Sequence, residues 1–93
     1  KQQESGLNHV LAKIAKEKGI QIGINLDEII ESHGKEKAKI LARVLQNIKI
    51  CKKHGVQMQF VSSKKQNLPS LKSLGLSLGM PTWMIGKLKN SVI

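Results

Sequence analysis

The side chains in this chain that could do chemistry are three histidines, six acids, one cysteine and sixteen Lys and Arg residues. His9, His33 and His54 stand far apart in the sequence and lack the paired spacing a zinc site normally needs. Asp27, Glu28 and Glu31 form one acidic turn after an Ile-rich stretch. Acids placed after a strand are where α/β barrels keep catalytic groups, but a single acidic turn reads more simply as a solvated helix start. Cys51 lies on an apolar helical stripe and is expected in the core. No G-x-G-x-x-G or Walker-type sequence occurs, and Gly75 to Gly79 sit inside or at the end of a Leu-rich helix rather than in a phosphate loop.

The basic residues carry the strongest signal. Residues 1–34 hold four Lys against five acids, net −1, whereas residues 35–93 hold twelve basic groups against Glu36 alone, net +11; together these give the formal +10. A solvating surface usually mixes signs, so this segregation favours a polyanionic partner, nucleic acid above all, over a merely soluble Lys-rich face. Arg43 is the single Arg. Lys point charges suit phosphate contact better than bidentate base reading. With only Phe60 and Trp83 as aromatics, base stacking is a poor basis for binding, so structured RNA or a duplex fits better than a loose single strand.

The elements that must position these groups follow from periodicity. Asn8 is placed to cap a helix to Lys18, with Val10, Leu11, Ile14 and Ala15 as its apolar stripe and Gly19 as its stop. Residues 20–25 read as a strand with Ile20, Ile22 and Ile24 on one face, and Gly23 suggests the close approach of another backbone. A helical turn or two follows, ended by His33-Gly34. Residues 35–54 form the clearest helix, with Leu41, Val44, Leu45, Ile48 and Cys51 at steps of three and four. Val56 to Ser63 is a second strand, so that strand–helix–strand makes a parallel βαβ unit. Pro69 opens a further helix ended by Gly79, and Pro81 to Asn90 reads as a last helix. Those two helices also admit a DNA-binding helix–turn–helix reading, although Lys87, Lys89 and Asn90 fall late in the second helix rather than at its reading end.

At 93 residues the chain allows one small domain. One cysteine excludes an internal disulfide framework and suits a reducing compartment, so a cytoplasmic location is expected. No apolar run approaches the ~18 residues of a membrane span, and no signal-peptide pattern opens the chain, so no membrane partner is expected. Two parallel strands need covering on both faces and edges. Together with a start at Lys1 rather than Met, this reads as a fragment, a section of a larger α/β fold that could supply well under half of a (β/α)₈ barrel.

Ser5-Gly6-Leu7-Asn8-His9-Val10-Leu11-Ala12-Lys13 resembles a signature of the RNase P protein component 3 family, the roughly thirty-kilodalton subunit of archaeal and eukaryotic RNase P. Ile22-Gly23-Ile24-Asn25-Leu26 is similar to that family's IGF-(S/N)-L strand, and Val61-Ser62-Ser63 and Leu74 to Met80 follow in family order. The resemblance implies a TIM-barrel-like α/β fold distantly related to the polymerase and histidinol phosphatase family, with residues 1–93 as the C-terminal part of a single barrel-like domain completed by a missing N-terminal part. It further implies a non-catalytic subunit of the ribonucleoprotein that removes 5′ leaders from precursor tRNA. In such a particle the RNA carries the active site and needs Mg²⁺, and this subunit pairs with a small ferredoxin-like subunit. A metal-dependent phosphoesterase remains the enzymatic alternative, with ligands upstream of Lys1. On the electrostatic reading, Lys35, Lys39, Arg43 and Lys53 of the long helix and Lys64 and Lys65 after the second strand are the candidate RNA contacts. Ser62 and Ser63 are candidate phosphate donors, with bonding of their own loop as the competing role. No catalytic, metal or cofactor residue is assigned to this chain.

Overall fold

The computed structural model describes residues 7–89 and 91–92. Ser5 and Gly6 of the family-like signature, and Asn90 at the end of the last expected helix, lie outside the described residues. The order is α1 (His9–Lys18), β1 (Ile22–Asn25), α2 (Leu26–Glu31), α3 (Gly34–His54), β2 (Met58–Ser62), α4 (Leu68–Ser77), α5 (Thr82–Ile85) and β3 (Ser91–Val92).

Local chemistry sets most of these boundaries. The Asn8 side chain accepts from the Leu11 N–H at 2.9 Å, and Gly19 closes α1 at φ 68°, a left-handed conformation that glycine adopts without penalty. Asn25 and Asn67 cap α2 and α4 in the same way, accepting from the Glu28 and Ser70 N–H groups at 3.1 and 3.0 Å. The strand begins at Ile22 rather than Ile20 because the Ile20 N–H is bound to the Ala15 carbonyl at 2.9 Å as part of the helix stop. Ile20 is therefore half exposed, and only Ile24 of the three isoleucines is fully buried.

Strands β1 and β2 pair in parallel, Ile22 opposite Met58 and Ile24 opposite Phe60, as the βαβ reading requires. A third strand goes beyond that reading: β3 pairs in parallel with the end of β2, giving the order β1-β2-β3. Gly23 is explained by a side chain, not a backbone. A Cβ there would stand 3.1 Å from Val61 Cγ2 on the neighbouring strand.

The core joins Ile24, Met58 and Phe60 of the sheet to Ile40, Val44, Ile48, Ile50 and Cys51 of α3, with Leu71, Met84, Ile85 and Leu88 from the C-terminal part. Ile50, outside the expected stripe, is covered, whereas Leu45 within it is 46% exposed. Helix α1 reverses expectation more fully. It buries Ala12 and Ala15, while Val10, Leu11 and Ile14 face outward. Small residues at the contact let α1 lie close to α3. The larger side chains Leu11 and Ile14 then line, with Ile20, Ile22 and Val44, an open apolar groove of about 500 Å³ beside β1.

The expected final helix is only four residues long. After Ile85 the chain unwinds through tight turns in which Lys87 N–H reaches the Met84 carbonyl and Leu88 N–H the Ile85 carbonyl. Gln59 then captures it: its Nε2 donates to the Lys87 carbonyl at 2.7 Å, and its Oε1 accepts from the Lys89 N–H at 2.8 Å. A four-residue helix followed by turns held in this way supplies no recognition helix, and the helix–turn–helix reading falls with it.

Candidate nucleic-acid interface

The basic residues divide between two ends of α3. At ~1.5 Å per residue, Lys35 and Lys53 stand about 27 Å apart along this helix. The expected set of contacts is therefore two clusters.

The first lies where β1 and β2 end. Lys35, Lys39 and Arg43 follow one another at four-residue steps and so share a ridge of α3. Arg43 is partly engaged: its Nη2 stands 3.6 Å from Glu28 Oε1 on α2, with both side chains about half exposed. Such a pair contributes little to stability, but it reduces the charge Arg43 can offer a phosphate. Lys64 and Lys65 are exposed in the loop after β2. That loop is fastened by Asp27, whose Oδ1 accepts from the Ser62 hydroxyl and whose Oδ2 accepts from the Ser63 N–H, both at 2.8 Å. Bonds from the Ser63 side chain, the Ser62 hydroxyl and the Ser63 N–H, in that order, together with the nearby Lys64 charge, hold the Asp27 carboxyl below its ordinary value. Ser62 is buried, and its oxygen also accepts from the Lys64 N–H at 3.2 Å. Its proton is committed to a carboxylate, so among the two serines the loop-fastening role accounts for Ser62. Asp27, in the acidic turn read as a solvated helix start, is the anchor of this corner.

The second cluster lies at the other end of α3. Lys53 neighbours His54, the last residue of the helix, and His54 Nε2 stands 2.7 Å from His9 Nδ1, the first residue of α1. The rings meet edge to face, with centroids 5.0 Å apart and planes at 62°. The histidines are thus not all isolated. Spacing within a single helix gives no sign of this pair, because the contact spans 45 residues and depends on how α1 crosses α3. Desolvation first, then His9, Lys53 and Lys13, lower the His54 pKa from its ordinary 6.5. Lys16 Nζ donates to the Gly55 carbonyl at 3.2 Å in the same region. A groove of about 990 Å³ opens here between α1 and α3, lined by Asn8, His9, Lys49, Lys52 and Lys53 together with apolar Leu7, Leu45 and Ile50. Among the described residues, no acid lines it.

Among the described residues, no three of His, Cys, Asp and Glu come together in a way that could hold a metal ion. Cys51 is buried, and burial pushes its thiol up to about 11. No helix among the described residues is long and apolar enough to cross a membrane.

No family model matches the chain. It is, however, 38% identical over 58 residues to ribonuclease P protein component 3 of Methanosarcina mazei and, equally, to that of Methanosarcina acetivorans. It is 36% identical over 59 residues to the protein of the same name from Methanococcoides burtonii. The matched stretch is 62–63% of this chain, and the chain spans about a quarter (24%) of the length of these archaeal relatives. The resemblance drawn from the sequence is thereby shown: over these residues the chain is similar to ribonuclease P protein component 3.

Proposed function

From that similarity we propose that the chain is part of a protein subunit of ribonuclease P. In this reading it binds and stabilises the RNase P RNA for 5′-leader removal from precursor tRNA and takes no part in bond cleavage. The 36–38% identity to relatives of that name carries the reading, and the +11 balance of residues 35–93 supports it. Lys35, Lys39, Lys64 and Lys65 at one end of α3, with Lys53 at the other, neutralise phosphates, release counterions and reduce the repulsion between packed RNA helices. Mg²⁺ belongs to the RNA. The small ferredoxin-like subunit is the expected protein neighbour, precursor tRNA is met through the RNA, and the particle is cytoplasmic.

The fold part of the proposal is a section of a (β/α) barrel. The three strands follow one another in chain order, all parallel, without the reversal that marks a doubly wound sheet. The apolar groove beside β1, with its half-exposed Leu11 and Ile14, is where a neighbouring β/α unit would pack.

Reconstitution tests the function. RNase P RNA is assembled with its other protein subunits, with and without the full chain, and cleavage of precursor tRNA is followed against Mg²⁺ concentration. The expected result is a lower Mg²⁺ requirement when the full chain is present and no cleavage by the full chain alone. Cleavage by the protein unaided, or an unchanged Mg²⁺ requirement with no RNA retained at low salt, would reject it.

A further inference from the structure

The second basic cluster has a feature the first lacks, namely two imidazoles in direct contact, one of which, His9, lines a groove with Lys49, Lys52 and Lys53 and with no acid among its described lining residues. In the 2.7 Å bond between His9 Nδ1 and His54 Nε2 one ring must donate and the other accept. A proton on the accepting nitrogen would destroy the bond, and a second proton on the pair would set two cations against each other. The groups facing His54 oppose a proton as well: Lys13 and His9 from α1 and Lys53 from α3. Nothing among the groove's lining residues offsets them, since Lys49 and Lys52 extend the same charge along α3. A bound anion inverts this balance. A phosphate oxygen accepts from imidazolium and ammonium donors alike, and its charge lies where the lysines make protonation costly.

We propose that the His9–His54 pair, with Lys13 and Lys53, is a proton-linked phosphate site, at which a phosphodiester of RNA binds and draws one proton from solvent onto the imidazole pair. The inference rests on the RNA-binding reading above and adds to it a position and a pH dependence. An extended polyanion is favoured over a single phosphate ion because the groove continues past Lys52 and Lys49, three residues apart on one side of the helix.

The linkage has a fixed sign. If the complex holds one more proton than its separated parts, affinity rises as pH falls, by at most about tenfold per pH unit. The experiment uses the full chain and a short RNA duplex at constant ionic strength, with the Kd followed by fluorescence anisotropy. Between about pH 7.5 and 6 the unmodified protein is expected to bind roughly three- to tenfold more tightly. His9→Gln and His54→Gln should each flatten that dependence, whereas His33→Gln should leave it intact. Calorimetry of the unmodified protein in two buffers of different ionisation enthalpy counts the proton directly and does not depend on how the variants fold. Uptake approaching one proton near the ordinary imidazole value of 6.5 is expected. Zero uptake, or variants that retain the parent slope, would overturn the site while leaving RNA binding in place. No binding to RNase P RNA or duplex at any pH would remove the functional reading and this site together.

Discussion

Ser62 donates its hydroxyl proton to Asp27 Oδ1, accepts from the Lys64 N–H, and lies close enough to Gln66 Nε2, at 3.4 Å, to accept a weaker bond from it. One buried oxygen thus ties the first turn of α2, the end of β2 and the Lys-bearing loop into a single corner. Removing that hydroxyl strands groups on two sides: Asp27 is deprived of a donor and the Lys64 N–H of its acceptor. Ser62→Ala is therefore expected to lower stability by about 1–2 kcal/mol, measured by urea unfolding, with Lys64 and Lys65 less well placed as a consequence. Ser63→Ala removes the side-chain bond that Asp27 receives from Ser63, but it keeps the backbone N–H that reaches Asp27 Oδ2 and leaves no buried group unpaired, since Ser63 is exposed, so it should cost less. A destabilisation by Ser63→Ala equal to that by Ser62→Ala would show that the corner is held differently. The sequence alone places both serines at a strand end, but does not tell which faces inward. That distinction follows from the register, in which Ser62 continues the buried face of Met58 and Phe60.

At the scale of elements, the fold is most legible in the sequence where one residue type has one physical use. Asn8, Gly19, the long α3 and the parallel β1–β2 pair all follow from caps, stops and periodicity. Legibility ends where a choice between faces depends on a distant partner. The Leu11 and Ile14 stripe of α1 has the pattern of a core face, yet α3 packs on the alanine side. The last helix has a pattern that continues through Leu88, yet a side-chain amide on β2 captures the chain and leads it to β3. Gln59→Leu tests that capture. It leaves the Lys87 carbonyl and Lys89 N–H without their partner and should cost about 2–3 kcal/mol, with faster amide exchange across residues 87–92 than in the rest of the sheet. Unchanged exchange there would mean the strand pairing alone holds the tail. The α1–α3 junction makes a separate prediction about pH. The folded protein resists a proton on His54 that the unfolded chain accepts near the ordinary value of 6.5. The unfolded state then binds more protons, so stability is full above that value and declines as pH falls through and below it. Denaturation midpoints measured from about pH 7.5 to 5.5 should fall, and His54→Gln should remove much of the slope.

Across the whole molecule, the two basic clusters are joined by one helix about 31 Å long, and each makes a different demand on a polyanion. The cluster at the strand ends presents Lys35, Lys39, Lys64 and Lys65 over a fastened corner and should contribute charge that is constant across neutral pH. The cluster at the far end of α3 contains the imidazole pair and should contribute charge that pH controls. The two are separable by salt and pH together. Taking away one lysine–phosphate pairing with a duplex reduces the slope of log K against log salt by about 0.9. Replacing Lys39, Lys64 and Lys65 by Gln should therefore lower that slope by roughly 2–3 and leave its pH dependence unchanged. Adding Arg43→Gln to that set should change the slope by less than a full phosphate pairing, because Glu28 already answers part of the guanidinium charge. Replacing Lys49, Lys52 and Lys53 should lower the slope and weaken the pH dependence as well, since these lysines and His9 belong to one groove. The measurement is RNA affinity across a salt series at two pH values for each set. An unchanged slope in the first set would mean that the strand-end cluster faces something other than phosphate, and the interface would then contract to the far end of α3.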